Sequence, residues 1–468
     1  MKKELICIFI LNIFLIASIS ASGFINNDSY LTEDFKHLSN EKLDFENSIN
    51  LIMRYGHFPA ISSCIVNENE VVWSDGFGFS DVEKGIAATD KTVFMVASIT
   101  KTITGTALMQ LFDLGYFNLD DDVNFFLPFE LRNPNFPDVP ITFRMLLSHS
   151  SSLIDTDNYW DIDFYYEGPP FDDYPEPWLE DYLTPNGSNF DPLIWSENYG
   201  PGKKSSYANI NFNIVAYLVE IISGEPFYEY CENHIFEPLD MDKSSFRLTD
   251  FDSEEVAIPY FWNPYTKQHE RSQNWVFIHY PAGGLFTTVL DLSHFLIAHM
   301  NGGEYNGTRI LKENTVDEMH KIQPPGNKNS FYFGLAWLSL SRSIWIGLQY
   351  PFFFILHFPK ILYSGHGGDI SYGLHTRMNM KISEDYGIIY FVNTHRLQRT
   401  GWHAAELLNE VLFKKAKNLK NGKSPNIPLE DNFKDINLQF KISTSREIFN
   451  SIFYNHFTEQ YKKSIFLQ

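Results

Sequence analysis

A serine and a lysine stand three residues apart in Ser98-Ile99-Thr100-Lys101. On a helix that spacing places both on one face. A lysine one turn beyond a serine can take the hydroxyl proton, or hold it in transit, and so activate the oxygen as a nucleophile without a histidine base. The chain spells the pattern twice, and Ser39-x-x-Lys42 lies in a polar stretch. Ser98 differs in its flanks: Val93, Phe94 and Val96 suit a buried lead-in, and Ile103, Ala107, Leu108 and Leu111 recur at helical spacing. Ser98 is therefore expected at a helix start, with its N–H among the free donors and the positive dipole end close by.

Two later stretches can supply partners. Tyr207-Ala208-Asn209 falls where a loop passes into a helix, so a phenol and an amide can aim at one point. A phenol titrates near 10 unperturbed and a neighbouring ammonium lowers it, which would make Tyr207 a proton carrier for Ser98. The bland reading is a packed tyrosine and a capping asparagine. Gly365-His366-Gly367-Gly368-Asp369 has glycines that let a strand backbone approach a ligand. His366 could donate to substrate or to the Ser/Tyr pair, or be a surface histidine in a tight turn. His149 reads as a helix-end residue bonding the next loop. No His-Glu-x-x-His or Cys-x-x-Cys occurs, so neither a metal nor a cofactor is expected.

The elements that must position these residues begin with a helix from about Glu41 to Tyr55. Strands over Pro59–Val66 and Val71–Phe79 follow, joined by an Asn67-Glu68-Asn69-Glu70 turn. The Ser98 helix should end near Gly115, and a short helix covers Thr142–His149. Residues 155–200, mixing Tyr, Trp, Phe, Pro, Asp and Glu without period, read as an ordered loop lining one wall of a cleft. Residues 223–330 read mostly as helices and loops. Strands return over Tyr332–Leu338, Ile370–Met380 and Tyr386–Asn393, and a helix over His403–Phe413 closes the array. An uncharged apolar run, residues 343–359, reads as a hairpin or flap resting on lipid, a partner or the cleft.

Among 468 residues, 44% are hydrophobic and 16% aromatic, enough for a large core. A formal charge of −22 disfavours nucleic acid and anionic lipid as partners. Residues 1–21 have the basic start, short apolar core and small-residue end of a signal peptide cut near Ala21. An arm over 22–44, a domain over 45–413 with insertions at 155–200 and 343–360, and a linker with extension over 414–468 complete the division. Cys64 and Cys231 form one bridge or, preferably, remain two buried thiols. Asn27, Asn186 and Asn306 head glycosylation triplets that would matter in a eukaryotic host.

In their order, Ser98-x-x-Lys101, Tyr207-Ala208-Asn209 and His366-Gly367-Gly368 resemble the serine β-lactamase and penicillin-binding protein superfamily. The branch that looks most similar is that of the class C β-lactamases, D-aminopeptidases and esterases. Supporting stretches include Met109-Gln110-Leu111-Phe112-Asp113-Leu114-Gly115 and Leu146-Leu147-Ser148-His149-Ser150-Ser151-Ser152-Leu153. The resemblance implies an α+β fold: an antiparallel sheet from both ends of the chain, flanked by helices, with a mostly helical lobe inserted and the site between them. It implies that Ser98 forms an acyl-enzyme, that Lys101 keeps Ser98 or Tyr207 reactive, and that Asn209 bonds the substrate amide or Lys101. The N–H groups of Ser98 and Asp369 would form an oxyanion hole, each donor worth about 3–4 kcal/mol of barrier.

One departure bears on substrate. Lactam-hydrolysing and transpeptidase relatives usually carry Lys-Thr/Ser-Gly where this chain has His366-Gly367-Gly368, and histidine offers no permanent charge for a carboxylate. The expectation is a secreted serine hydrolase, or one in the lumen of the secretory or endolysosomal pathway. It would act on an ester or amide bond, D-amino-acyl and lactam substrates included, in a small-molecule or peptide-like acyl substrate. The alternative is a non-catalytic binding or scaffold protein, membrane-associated through 343–359; the intact Ser98, Lys101 and Tyr207 argue for the enzyme.

Overall fold

The computed structural model describes residues 44–422, apart from 158, 160–177, 275, 277, 326–331, 342–361, 371–372, 382–383 and 396–398. The signal-like segment, Ser39-x-x-Lys42, most of the first insertion, the apolar run 343–359 and the tail beyond 422 lie outside the described residues. The chain divides into two compact units, residues 1–51 with 422–468, and residues 52–421. The first helix is α1 (Phe45–Gly56).

The frame of the second unit is an eight-stranded antiparallel sheet. The strands are β1 (Ala60–Asn67), β2 (Val71–Asp81), β3 (Ile86–Ala87), β4 (Tyr332–Phe333), β5 (Leu338–Ser341), β6 (Leu362–Ile370), β7 (Leu374–Lys381) and β8 (Tyr386–Val392), in the order β4-β5-β6-β7-β8-β1-β2-β3. Early and late strands thus meet at the β8–β1 pair, where Cys64 faces Ile389 and Ser63 faces Tyr390. Among the described residues between β3 and β4, helices outweigh strands and are joined by long loops, in keeping with a mixed α and β architecture.

Local chemistry explains the joints. Asn67 Oδ1 accepts the N–H groups of Asn69 (2.7 Å) and Glu70 (2.8 Å), closing the β1–β2 hairpin with an Asx turn. The helices that matter to the site are α2 (Thr100–Asp113), α3 (Phe143–Leu147), α4 (Ile210–Ser223), α5 (Val289–Met300), α6 (Glu313–His320) and α7 (Arg399–Lys420). Twelve residues of α2, Thr100 to Leu111, are buried, so it has no solvent stripe to show in its sequence. Thr288 caps α5 through its bond from the Asp291 N–H, and α4 ends at Gly224 in the left-handed conformation (φ +77°). The Cys64 thiol meets the Val289 carbonyl on the α5 side of the sheet. The Tyr390 hydroxyl meets Ala405 O of α7 on the other. Helices therefore cover both faces, and β1 is buried almost throughout. Cys64 and Cys231 are both buried free thiols.

Three sequence expectations shift. The run expected as one strand over Tyr332–Leu338 is a hairpin, β4 and β5, broken at Ala336 (φ +66°). The strand expected from Ile370 is preceded by another, so the His366-Gly367-Gly368 segment sits inside β6 rather than before a strand. The closing helix runs to Lys420, so 414–420, read as the start of a linker, are helical. Gly-rich and Lys-rich stretches mask these elements because pairing and packing, not propensity, hold them.

Candidate active site

Ser98 lies in a single 3-10 turn, Ala97–Ile99, that runs directly into α2. The turn is gripped from both sides. Val96 N–H donates to Leu285 O (2.8 Å), and Thr376 Oγ1 on β7 donates to Val96 O (2.8 Å). Ala97 has φ +48°, a left-handed conformation that costs a non-glycine residue about 1–2 kcal/mol and is held by these contacts. Across from it, a Cβ on Gly368 would stand 2.3 Å from Val96 O and 2.8 Å from Ala97 Cβ. Glycine there lets the β6 backbone close onto the serine turn.

Lys101 is fully buried one turn on. Its Nζ donates to Ser98 Oγ at 3.0 Å and to the Ala282 carbonyl. Burial pulls its pKa down to about 7, opposed by the negative charge of Asp155. Near neutral pH a large fraction is free amine. With one N–H held by Ala282 O, the lone pair can face the Ser98 hydroxyl.

Tyr207 faces the same group: the Ser98 side chain tempers the pKa of its hydroxyl, and its ring lies 5.2 Å from Lys101 Nζ. The residue is 38% exposed, yet its hydroxyl end is desolvated. That burial raises its pKa above the ordinary phenol value, with Asp155 and Asp369 adding to the rise. The expectation that an ammonium lowers the Tyr207 pKa is therefore reversed. The lysine is itself only partly charged, and burial outweighs it. Tyr207 is therefore a neutral hydroxyl near pH 7, while Lys101 titrates near neutrality.

The side-chain amide N–H of Asn209 donates to Asp155 Oδ2 (2.8 Å). Asp155 also accepts the backbone N–H of Asn209 (2.8 Å) and of Ile210 (3.1 Å), and so caps the start of α4. His366 is buried on β6, with Nδ1 2.8 Å from Gly367 O and its ring 6.3 Å from that of Tyr207. Burial, then the nearby Lys101 charge, pull its pKa down to about 3, so it is a neutral imidazole. Behind it, Arg377 lies 3.1 Å from where a Gly367 side chain would begin and 3.6 Å from Glu406. Asp369 is near the end of β6, its carboxylate 2.8 Å from His375 Nδ1.

These geometries converge with sequence comparison. The Beta-lactamase family model matches residues 45–411. The chain belongs to the Beta-lactamase family. Protein Flp of Staphylococcus aureus strain MW2 is 25% identical over 267 residues, covering 55% of this chain and 49% of that protein. The chain thus spans about half the length of this curated relative. Among solved structures, an octameric penicillin-binding protein homologue from Pyrococcus abyssi aligns with a TM-score of 0.58 and 22% identity, over 82% of this chain and 78% of that one. The D-amino acid amidase of Ochrobactrum anthropi aligns with a TM-score of 0.60 and 20% identity, over 80% and 99%. At these identities the structures establish the shared fold.

Two site residues carry no sequence signal of their role. His149, read as a helix-end residue bonding the next loop, instead accepts the N–H of Ala208, 59 residues on, at Nδ1 (3.2 Å). It also stacks on the Tyr207 ring, centroids 4.3 Å apart, and so fixes the phenol. Burial holds its pKa well below the usual value, which keeps Nδ1 free to accept. Asp155, at the edge of the first insertion, is the other; only the fold brings it to Asn209, 54 residues on.

Proposed function

We propose that this protein is a serine hydrolase that cleaves an ester or amide bond through an acyl-enzyme on Ser98. The observation that carries this reading is a fully buried lysine whose Nζ stands 3.0 Å from the serine oxygen and whose pKa is about 7. Serine activation needs a base whose pKa is near the working pH. Free-amine Lys101 takes the Ser98 proton as Oγ attacks the substrate carbonyl carbon. The oxygen of that carbonyl gains the charge, and backbone N–H groups of Ser98 and Asp369 would stabilise it. Lys101, through Tyr207, returns the proton to the departing alcohol or amine as the C–O or C–N bond breaks. Water then attacks the acyl-enzyme by the reverse proton path, releasing the acid and Ser98.

Neutral His366 supports an uncharged acyl group rather than one carrying a carboxylate, because histidine at this position supplies no fixed cation. The D-amino acid amidase among the structural relatives supports including amides with esters. On this reading the enzyme works in the secretory pathway or outside the cell, as the leader-like Leu5–Ile19 run argues. The test is a panel of uncharged esters, D-amino-acyl amides and lactams, turned over by the wild type and by Ser98→Ala. Turnover of an ester or amide that vanishes in Ser98→Ala is expected; equal turnover by both would sink the proposal.

A further inference from the structure

We propose that Asp155 is a positioning residue of this site: its carboxylate fixes the first turn of α4, and with it Tyr207 and Asn209, and supplies the anion that faces the Lys101 ammonium. The proposal rests on the hydrolase reading above.

The geometry is specific. One carboxylate accepts three N–H groups, from the Asn209 backbone (2.8 Å), the Asn209 side chain (2.8 Å) and the Ile210 backbone (3.1 Å). The two backbone donors belong to the free N–H groups at the head of a 14-residue helix. Asn209 itself makes no side-chain cap there, so the cap comes from a distant loop. The residue two positions before Asn209 is Tyr207, whose ring is clamped on its other side by His149. Anchoring the helix start from Asp155 therefore fixes where the phenol points. It also occupies the Asn209 amide nitrogen.

The second element is charge. Lys101 and its neighbours are faced by Asp155 from the loop after α3, His149 from the end of α3, and Tyr207 from the loop before α4. His366 and Asp369 approach from β6, and Arg377 from β7. Of these, Asp155 is the one whose charge raises the Lys101 pKa against burial; burial lifts the Asp155 carboxyl's own pKa, and the Asn209 and Ile210 N–H groups hold it down. A lysine so deeply buried would otherwise lose its proton at a lower pH and return it less readily to the leaving group.

The experiment is the pH dependence of Ser98 labelling by an uncharged fluorophosphonate in the full chain, for wild type, Asp155→Asn and Asp155→Glu. Asparagine keeps an acceptor oxygen for the helix start but loses the charge, and sets its own N–H groups against those of Asn209. Asp155→Asn is expected to label at least 10-fold more slowly, with the acid limb of its profile moved about one pH unit lower. Asp155→Glu keeps the charge and disturbs the distances, so its rate falls while the limb stays in place. Asp155→Ser carries the same expectation for the limb as asparagine, and replaces it if the amide variant does not fold. Neutral variants whose limb coincides with that of the wild type would overturn the charge role, and unchanged rates would overturn the positioning role. Wild-type protein that takes no label at Ser98 would instead count against the hydrolase reading.

Discussion

Replacing Lys101 with methionine should abolish activity and at the same time stabilise the protein. The lysine titrates near 7 in the folded protein, against 10.5 when solvated. At pH 7 the unfolded chain therefore holds a proton that the folded state half releases, which costs the fold about 4 kcal/mol. Methionine fills a similar volume without that cost. It gives up the bonds to Ser98 Oγ and Ala282 O, a loss of about 1–2 kcal/mol. The balance is a gain of about 2–3 kcal/mol at pH 7. Because the folded pKa is depressed, the wild-type deficit is full below pH 7 and shrinks as pH rises toward 10.5. Urea unfolding of both proteins between about pH 6 and pH 10 reads this directly. The variant's advantage should narrow with pH and reverse near the upper end. A variant less stable than wild type at pH 7, or a difference that does not change with pH, would mean that Lys101 keeps its ordinary pKa in the folded protein.

Two further substitutions separate proton transfer from architecture. Tyr207→Phe should lower kcat by about 100- to 1,000-fold, with stability changed by about 1 kcal/mol or less; wild-type turnover in a steady-state assay would remove the phenol from the mechanism. Gly368→Ala places a methyl 2.3 Å from Val96 O. It should cost about 1–3 kcal/mol in urea unfolding and slow Ser98 labelling more than 10-fold, because β6 must move off the serine turn. A variant with wild-type labelling would show that the close approach is dispensable.

What the sequence displays and what it hides depend on range. The β1–β2 hairpin is legible because Asn67 makes its turn with residues two and three positions away. The serine turn is legible because Ser98 and Lys101 meet across one helical turn, and the order of the motifs makes the inserted-lobe fold readable from the resemblance. Gly365 to Gly368 resist strand assignment because glycine lowers strand propensity, yet the neighbouring Val96–Ala97 backbone requires it. Asp155 and His149 look like an ordinary loop acid and an ordinary helix-end histidine; each acquires its role from a partner more than 50 residues away. The direction of the Tyr207 shift escapes sequence reasoning because nearest charges can be guessed from motifs, whereas desolvation is set by the whole fold. The Asn209 side chain points to substrate or Lys101 on its motif alone, because its competing partner lies in a segment with no motif.

On this reading Ser98 is a nucleophile served by a lysine of which about half is free amine at pH 7. The most direct measurement is the rate at which an uncharged fluorophosphonate labels the wild-type protein across pH, with the adduct located by peptide mass spectrometry. The expected result is one adduct, on Ser98, whose rate rises through a single ionisation near pH 7. No adduct, an adduct on another residue, or a rate that climbs only toward the ordinary lysine pKa of 10.5 would contradict it.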